Sequence, residues 1–255
     1  LPIFMPVLHA GSHCLSLARP LVMGVVNVTP DSFSDGGFCL DARSAIDHAL
    51  KLHAAGADIL DVGGESTRPG AQPVTLEEEQ HRVLPVVEAL AGRGLVVSID
   101  TQKPAVMQAA IGAGAAMVND VLALRAPGAL EAVAGTDAAV CLMHMQGEPR
   151  SMQQAPVYAD VVREVRDFLQ ERVAVCELAG IGRARIVVDP GFGFGKALAH
   201  NLALLAGLGR IAGLGLPVLA GMSRKSMLGA LTGRDVQQRE FARRARSTPP
   251  ASTCA

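Results

Sequence analysis

The 255-residue chain has no tryptophan, one tyrosine and seven phenylalanines. With 27 glycines and alanine-rich stretches, this composition predicts many tight turns and closely packed helices. There is no basic excess: 23 Lys and Arg stand against 24 Asp and Glu, a formal net charge of −1. That balance offers no electrostatic footprint for nucleic acid or an anionic membrane. No CxxC pair occurs, and the five cysteines are odd in number and scattered, which argues against a disulfide framework and for a reduced, cytoplasmic protein. None of the seven histidines lies in HExxH, so a zinc site has little support. Charged residues are 18% and hydrophobic residues 49%, which excludes disorder. Residues 1–18 are uncharged, but they lack a basic segment and carry Pro2, Pro6, His9 and His13. They read as a loose leader and not as a signal peptide or membrane span.

What is present is a regular alternation. Short apolar runs of strand type occur at 22–27, 58–62, 95–99, 116–119, 138–143, 185–189 and 217–220. Helix-period segments lie between them. Val161, Val165, Phe168, Leu169, Val173 and Cys176 form one such stripe, and Thr75-Leu76-Glu77-Glu78 reads as a capping box. Strands buried on both faces and separated by helices imply a parallel sheet. The mean spacing is about 32 residues, the length of one βα unit. Polar residues mark the strand ends repeatedly: Asn27, Asp61–Glu65, Asp100, Asn119, His144, Asp189 and Ser223. An open doubly wound sheet would gather them at one switch point, whereas a TIM (β/α)8-type barrel supplies one from each strand. The barrel is therefore expected, lacking its eighth βα unit. One more interval falls near residue 250, where Pro249-Pro250 cannot lie in a central strand. The resulting division is a leader at 1–20, a barrel domain at 21–242 and a divergent tail at 243–255.

Several segments carry chemistry. Asn27 places a hard, neutral amide oxygen at a strand end, suited to Mg²⁺, and the polar loop to Gly37 has glycine hinges for closing over a substrate. Gly63–Gly70 has the composition of an anion-binding loop, with Thr67 and Arg68 as hydroxyl and guanidinium. Asp100, Asn119 and Asp189 end three strands and suit the donor-rich edge of an amino-substituted heterocycle, although each could also cap its following helix. Asp189–Lys196 is not a phosphate-binding P-loop, because its spacing is one residue short and Ala197 replaces the metal-binding hydroxyl. Phe192 and Phe194 there read as an apolar wall for an aromatic ligand, with packing against the rim as the alternative. Lys225 follows the seventh strand and is placed to reach a ring carbonyl or nitrogen. Met143 offers a soft floor under a planar ring. His144 is equally well a core histidine and is not assigned as a base.

At these residues the chain resembles the dihydropteroate synthase family of folate biosynthesis. The matching segments are 27–37, 61–71, 98–103, 118–121, 143–149, 188–196 and 221–229, in order, with resemblance from about residue 20 to 241. The resemblance implies an eight-fold barrel that joins 7,8-dihydropterin-CH₂-diphosphate to 4-aminobenzoate and releases diphosphate with Mg²⁺, sulfonamides competing for the aminobenzoate site. It implies Mg²⁺ at Asn27 and a pterin pocket of Asp100, Asn119, Met143, Asp189 and Lys225. Asp35 and Thr67 with Arg68 belong to the two covering loops, and Lys225, Asp35 and Arg68 are the residues it nominates as catalytic. Phe33, Pro69, Phe194 and Ser226 border the aminobenzoate pocket. A homodimer through helices near the barrel's end is also implied. From Arg243 onward the family's Arg-x-His pair, a diphosphate ligand, is not matched. Weak or absent activity and low solubility are expected on that account. A non-catalytic pterin-binding remnant and a corrinoid methyltransferase barrel using methyltetrahydrofolate stand as alternatives.

Overall fold

The computed structural model describes residues 7–28, 38–65, 73–147, 152, 156–223 and 225–233, with only the backbone course given for 38–41 and 226. Its centre is a parallel sheet of β3 (Met23–Asn27), β4 (Ile59–Gly63), β5 (Val97–Asp100), β6 (Met117–Asp120), β7 (Ala139–Met143) and β8 (Ile186–Asp189). β1 (Val7–Ala10) and β2 (His13–Ser16) form a separate antiparallel hairpin. The sheet order is β3-β4-β5-β6-β7-β8, so every strand pairs with its sequence neighbour and the order never reverses. That is barrel topology and not the switch-point order of an open sheet. The crossovers run through α1 (Phe38–Ala54), α2 (Leu76–Ala91), α3 (Pro104–Gly112), α4 (Ala129–Ala134) and α5 (Val161–Leu178). After β8 come α6 (Leu198–Ala206), α7 (Leu208–Ala212) and α8 (Ser226–Thr232).

Strand alternation splits the side chains into two layers. Leu60, Val62, Ile99, Val118, Val140, Leu142, Ile186 and Val188 join the helix-side core, where α5 adds Val165, Leu169, Val173 and Cys176. The α5 stripe thus packs as its periodicity requires. Helix α2 begins where expected: the Thr75 hydroxyl accepts from the Glu78 N–H at 3.2 Å, a cap worth about 1 kcal/mol.

Two expectations are corrected. The stretch read as a loose leader is ordered over residues 7–16. Leu8 and Ala10 of the hairpin are buried against Ala116, Met117, Ala139, Cys141 and Val187, near the N-terminal ends of the barrel strands. An apolar barrel floor must be covered, and burying a Leu side chain there contributes about 2 kcal/mol. The seventh expected strand, 217–220, reduces to one bridge between Val188 and Val218. Its hydrogen bonds are Val188 N–H to the Pro217 carbonyl at 3.0 Å and Leu219 N–H to the Val188 carbonyl at 2.9 Å. A segment that opens on a proline and pairs, among the described residues, on one side only keeps few ladder bonds. The expected eighth unit and the tail lie outside the described residues.

Candidate active site

The polar strand ends collect at the C-terminal mouth of the barrel. Register pairs Gly63 with Asp100 and Asp100 with Asn119, and across the sheet Met143 with Asp189. Four residues expected to hold a ligand therefore lie on one rim: Asp100, Asn119, Met143 and Asp189. Asn27 ends β3 opposite Gly63 on the same rim, with an accessible side chain.

Burial sets the electrostatics here. It raises the Asp189 carboxyl above the ordinary carboxylate range, opposed by Lys225, the Gly191 N–H and Lys196. Asp189 Oδ1 accepts from the Gly191 N–H at 2.7 Å. Asp100 is raised well above its usual value by burial, then by the charges of Asp61, Asp120 and Glu79. Asp120, which sequence reasoning does not single out, is pushed up to about 6 by burial. Its two oxygens accept from the Leu122 and Leu124 N–H groups at 2.8 and 2.7 Å and shape the turn after β6. A mouth ringed by under-solvated carboxyl groups is built to receive hydrogen-bond donors.

Lys225 answers this acidity. Burial lowers its affinity for the proton, opposed by Asp189. Its ammonium donates to the Phe192 carbonyl and stands 4.5 Å from the Phe194 ring centre. Phe194 packs beside Val121, Met143, Met145 and Met152, next to the rim residue Met143. Phe192 does not: it is fully buried in the helix-side core, which corrects the paired apolar wall. The chain crosses between the two layers at this turn, so alternate phenylalanines face different surroundings.

The turn is held by Lys196, which enters the sequence reasoning only in the rejection of a phosphate loop. It is 3% exposed. Its ammonium donates to the carbonyls of His144, Gly191 and Phe194 at 3.2, 2.9 and 2.9 Å and lies 3.0 Å from His144 Nδ1. A lysine so placed clamps backbone and binds no phosphate. His144 is buried edge-on to Phe168 at 4.9 Å and is pushed down to about 3 by burial and then by Lys196. It is a neutral core histidine at ordinary pH.

At the root of the 66–72 segment, Lys103 bridges Glu65 and the buried Glu79. The Thr101 hydroxyl donates to Glu79 Oε1 at 2.6 Å, and Arg82 donates to the Gly64 carbonyl at 2.9 Å. Sequence reasoning misses these residues too; the alternating Ser98-Ile99-Asp100-Thr101 phase is the available signal. Phe33, Asp35, Thr67, Arg68 and Pro69 lie outside the described residues, as does the side chain of Ser226.

Among the described residues no group of three or more His, Cys, Asp or Glu side chains is placed to hold a metal ion. Asn27 alone still fits Mg²⁺, which keeps several waters and takes few protein oxygens when phosphate supplies others. No helix among the described residues is long and apolar enough to cross a membrane. A cavity of about 690 Å³ lies elsewhere, between the hairpin, β3 and the 215–219 segment, lined by Leu8, Met23, Ile59, Val187 and Leu219. It is apolar and far from the chemistry-bearing rim.

The chain matches the model of the family described as pterin binding enzyme over residues 23–253, past Arg243 where the motif resemblance ends. It is 54% identical over 225 residues to the dihydropteroate synthase of Escherichia coli (strain K12), covering 88% of this chain and 80% of that protein. It is similar to the structure of Xanthomonas albilineans dihydropteroate synthase with 4-aminobenzoic acid, at 55% identity and a TM-score of 0.86, covering 92% of this chain and 85% of that one. The Burkholderia cenocepacia dihydropteroate synthase complexed with 7,8-dihydropteroate is 49% identical with a TM-score of 0.84, covering 94% and 85%. The chain belongs to the pterin binding enzyme family, among the dihydropteroate synthases.

Proposed function

We propose that this protein joins 7,8-dihydropterin-CH₂-diphosphate to 4-aminobenzoate and releases diphosphate. The observation that carries the reading is the meeting of Asp100, Asn119 and Asp189 with Lys225 at one barrel mouth. An amino-substituted pterin presents several N–H donors along one edge and a carbonyl on another. The carboxyl groups and the Asn119 amide take the donors, and the Lys225 ammonium takes the carbonyl or a ring nitrogen. Met143 and Phe194 supply apolar contact to the ring faces and to the aminobenzoate.

The reaction forms one bond and breaks one. The arylamine nitrogen attacks the methylene carbon, the C–O bond to diphosphate breaks, and the amine loses a proton to solvent or to the released diphosphate. The attacking amine is weakly basic, so no strong general base is needed, in keeping with a neutral His144. Holding both substrates at one mouth makes the step effectively intramolecular. Asn27 would hold Mg²⁺, which supplies charge neutralisation for the leaving diphosphate. Phe33, Asp35, Thr67, Arg68, Pro69 and Ser226 keep their assigned roles in this proposal: Arg68 and Thr67 at the diphosphate, Asp35 on the first covering loop, the others at the aminobenzoate. Sulfonamide competition at that pocket belongs to the same reading. The free thiols Cys14, Cys141 and Cys176 support a reducing compartment, the cytoplasm. A homodimer is part of the proposal and is tested by sedimentation.

The test is diphosphate release from the dihydropterin substrate with Mg²⁺, with and without 4-aminobenzoate. Release that depends on 4-aminobenzoate is expected, weakened by the unmatched Arg-x-His pair. Pterin binding without release would leave the binding remnant as the better reading.

A further inference from the structure

Asp61 stands one interior layer below the ligand-binding rim. It is the middle residue of β4, two before Gly63, which is level with Asp100 and Asn119. It is 4% exposed, and its Oδ2 accepts from the Asn119 Nδ2 at 3.0 Å. An asparagine amide is ambiguous: it can turn its oxygen or its nitrogen toward a ligand. Here the nitrogen is committed to Asp61, which leaves the oxygen as the group to meet a ligand.

We propose that Asp61 is a positioning residue that fixes Asn119 as a hydrogen-bond acceptor for the bound heterocycle. The proposal rests on the pterin reading of the site. It gives a reason for an otherwise expensive feature. Asp61 is buried with the Ser98 hydroxyl opposite it in the β4–β5 register, and burial raises its carboxyl above the ordinary carboxylate range, opposed by hydrogen bonding from Ser98 and Asn119. Burying a carboxyl group is costly even with these two side-chain neighbours, so an apolar pair would be the more stable filling of this layer. A carboxyl group is retained here because it takes the Asn119 N–H. With Asp61 in place the rim offers three acceptors to a donor-rich edge. With Asn119 reversed, its N–H would oppose the ligand's own N–H, leaving two buried donors unpaired.

Asp61→Asn is nearly isosteric and can donate to Asn119 Oδ1, which permits the reversed amide. Titration with 6-hydroxymethyl-7,8-dihydropterin should show at least about tenfold weaker binding than the parent chain. The KM for the pterin substrate should rise by a similar factor, with the KM for 4-aminobenzoate unchanged. The double variant Asp61→Asn with Asn119→Asp restores an acceptor facing the mouth, because the new amide at position 61 donates to one oxygen of the new carboxylate and the other oxygen faces the ligand. It should recover most of the lost affinity, which a merely structural role for Asp61 would not produce. Unchanged binding in Asp61→Asn, or a double variant no tighter than the single, overturns the proposal. Should the single variant fail to fold, hydrogen exchange of the Asn119 side-chain amide in the parent chain decides: protection supports the proposal, and exchange at the solvent rate overturns it. Absence of pterin binding by the parent chain would overturn the functional reading instead, and the exchange measurement still reports on Asp61.

Discussion

The Lys196 ammonium and the His144 ring nitrogen lie 3.0 Å apart in the interior, 52 residues separated in sequence. Burial pushes Lys196 down to about 7 and His144 down to about 3, so the pair is a lysine near its titration point beside a neutral imidazole. Because three carbonyls share that ammonium, the turn carrying Phe192 and Phe194 depends on it.

The pair has a signed consequence for stability. Between about pH 7 and the unfolded lysine value of 10.5, the unfolded chain binds a proton at Lys196 that the folded chain does not. Stability contributed by this group therefore rises with pH across that window. Lys225 is also lowered and acts with the same sign. Urea unfolding at pH 7 and pH 9.5 should show a gain at the higher pH, and Lys196→Met should shrink that gain. An undiminished pH effect in Lys196→Met would assign the slope elsewhere.

Asp120 has the opposite sign. Its carboxyl titrates at about 6 in the folded state against 3.8 in the unfolded one, so its contribution is full below about pH 4 and fades through pH 6. Asp120→Asn should flatten stability between pH 4 and 6 relative to the parent chain. The acid-side loss from His144, which falls between its unfolded 6.5 and about 3, should then stand out in the same unfolding series.

Gly191 adopts φ +67, and an added Cβ would overlap the His144 carbonyl oxygen. Gly191→Ala should destabilise by well over 1 kcal/mol, combining left-handed strain with a steric clash. Gly112, the last residue of α3, meets nothing within 4 Å, and Gly112→Ala should stabilise by about 0.4–1 kcal/mol through the unfolded chain. Urea midpoints of the two variants, compared at equal slope, test the contrast.

Lys103→Met would strand Glu79, which is 1% exposed and would keep the Thr101 hydroxyl as its side-chain partner among the described residues. Removing one member of a buried ion pair costs about 3–5 kcal/mol, so thermal unfolding should shift down markedly. The double replacement of Lys103 and Glu79 by Met and Gln should recover part of that loss. If the single variant is as stable as the parent, the pair does not anchor the root of the 66–72 segment.

The Lys225 ammonium over the Phe194 ring contributes about 0.5–2 kcal/mol where it is desolvated. Phe194→Leu keeps apolar bulk and loses the ring's quadrupole. The KM values for both substrates should rise several-fold, with little change in thermal midpoint. A fall in midpoint matching the loss of affinity would make Phe194 a packing residue only.

Much of this is legible from local signals. Six barrel strands lie within about two residues of their apolar runs, because strands buried on both faces need such runs whatever surrounds them. Thr75 caps α2 and the α5 stripe is buried, since both depend on neighbours three or four residues away. Asp100, Asn119, Asp189 and Lys225 are legible because barrel topology sends strand ends to one face. The hairpin is not: Leu8 and Ala10 alternate over too few residues to announce a strand, and only the open barrel floor gives them a partner. Phe192 is misread because two phenylalanines in one glycine-rich turn look alike until the chain crosses a layer.

The order of the strands, the residues at their ends and the family they mark were determined by the sequence alone, through periodicities and motifs that act over a few residues. The partners of the buried polar groups were decided by tertiary structure. Asn119 meets Asp61 from 58 residues away, and Lys196 meets the strand end at His144 from 52. Those pairings exist because the sheet curves on itself and removes water from its interior. Desolvation then favours the partners that the curved sheet places beside the buried N–H and carboxyl groups, which no local run of residues encodes.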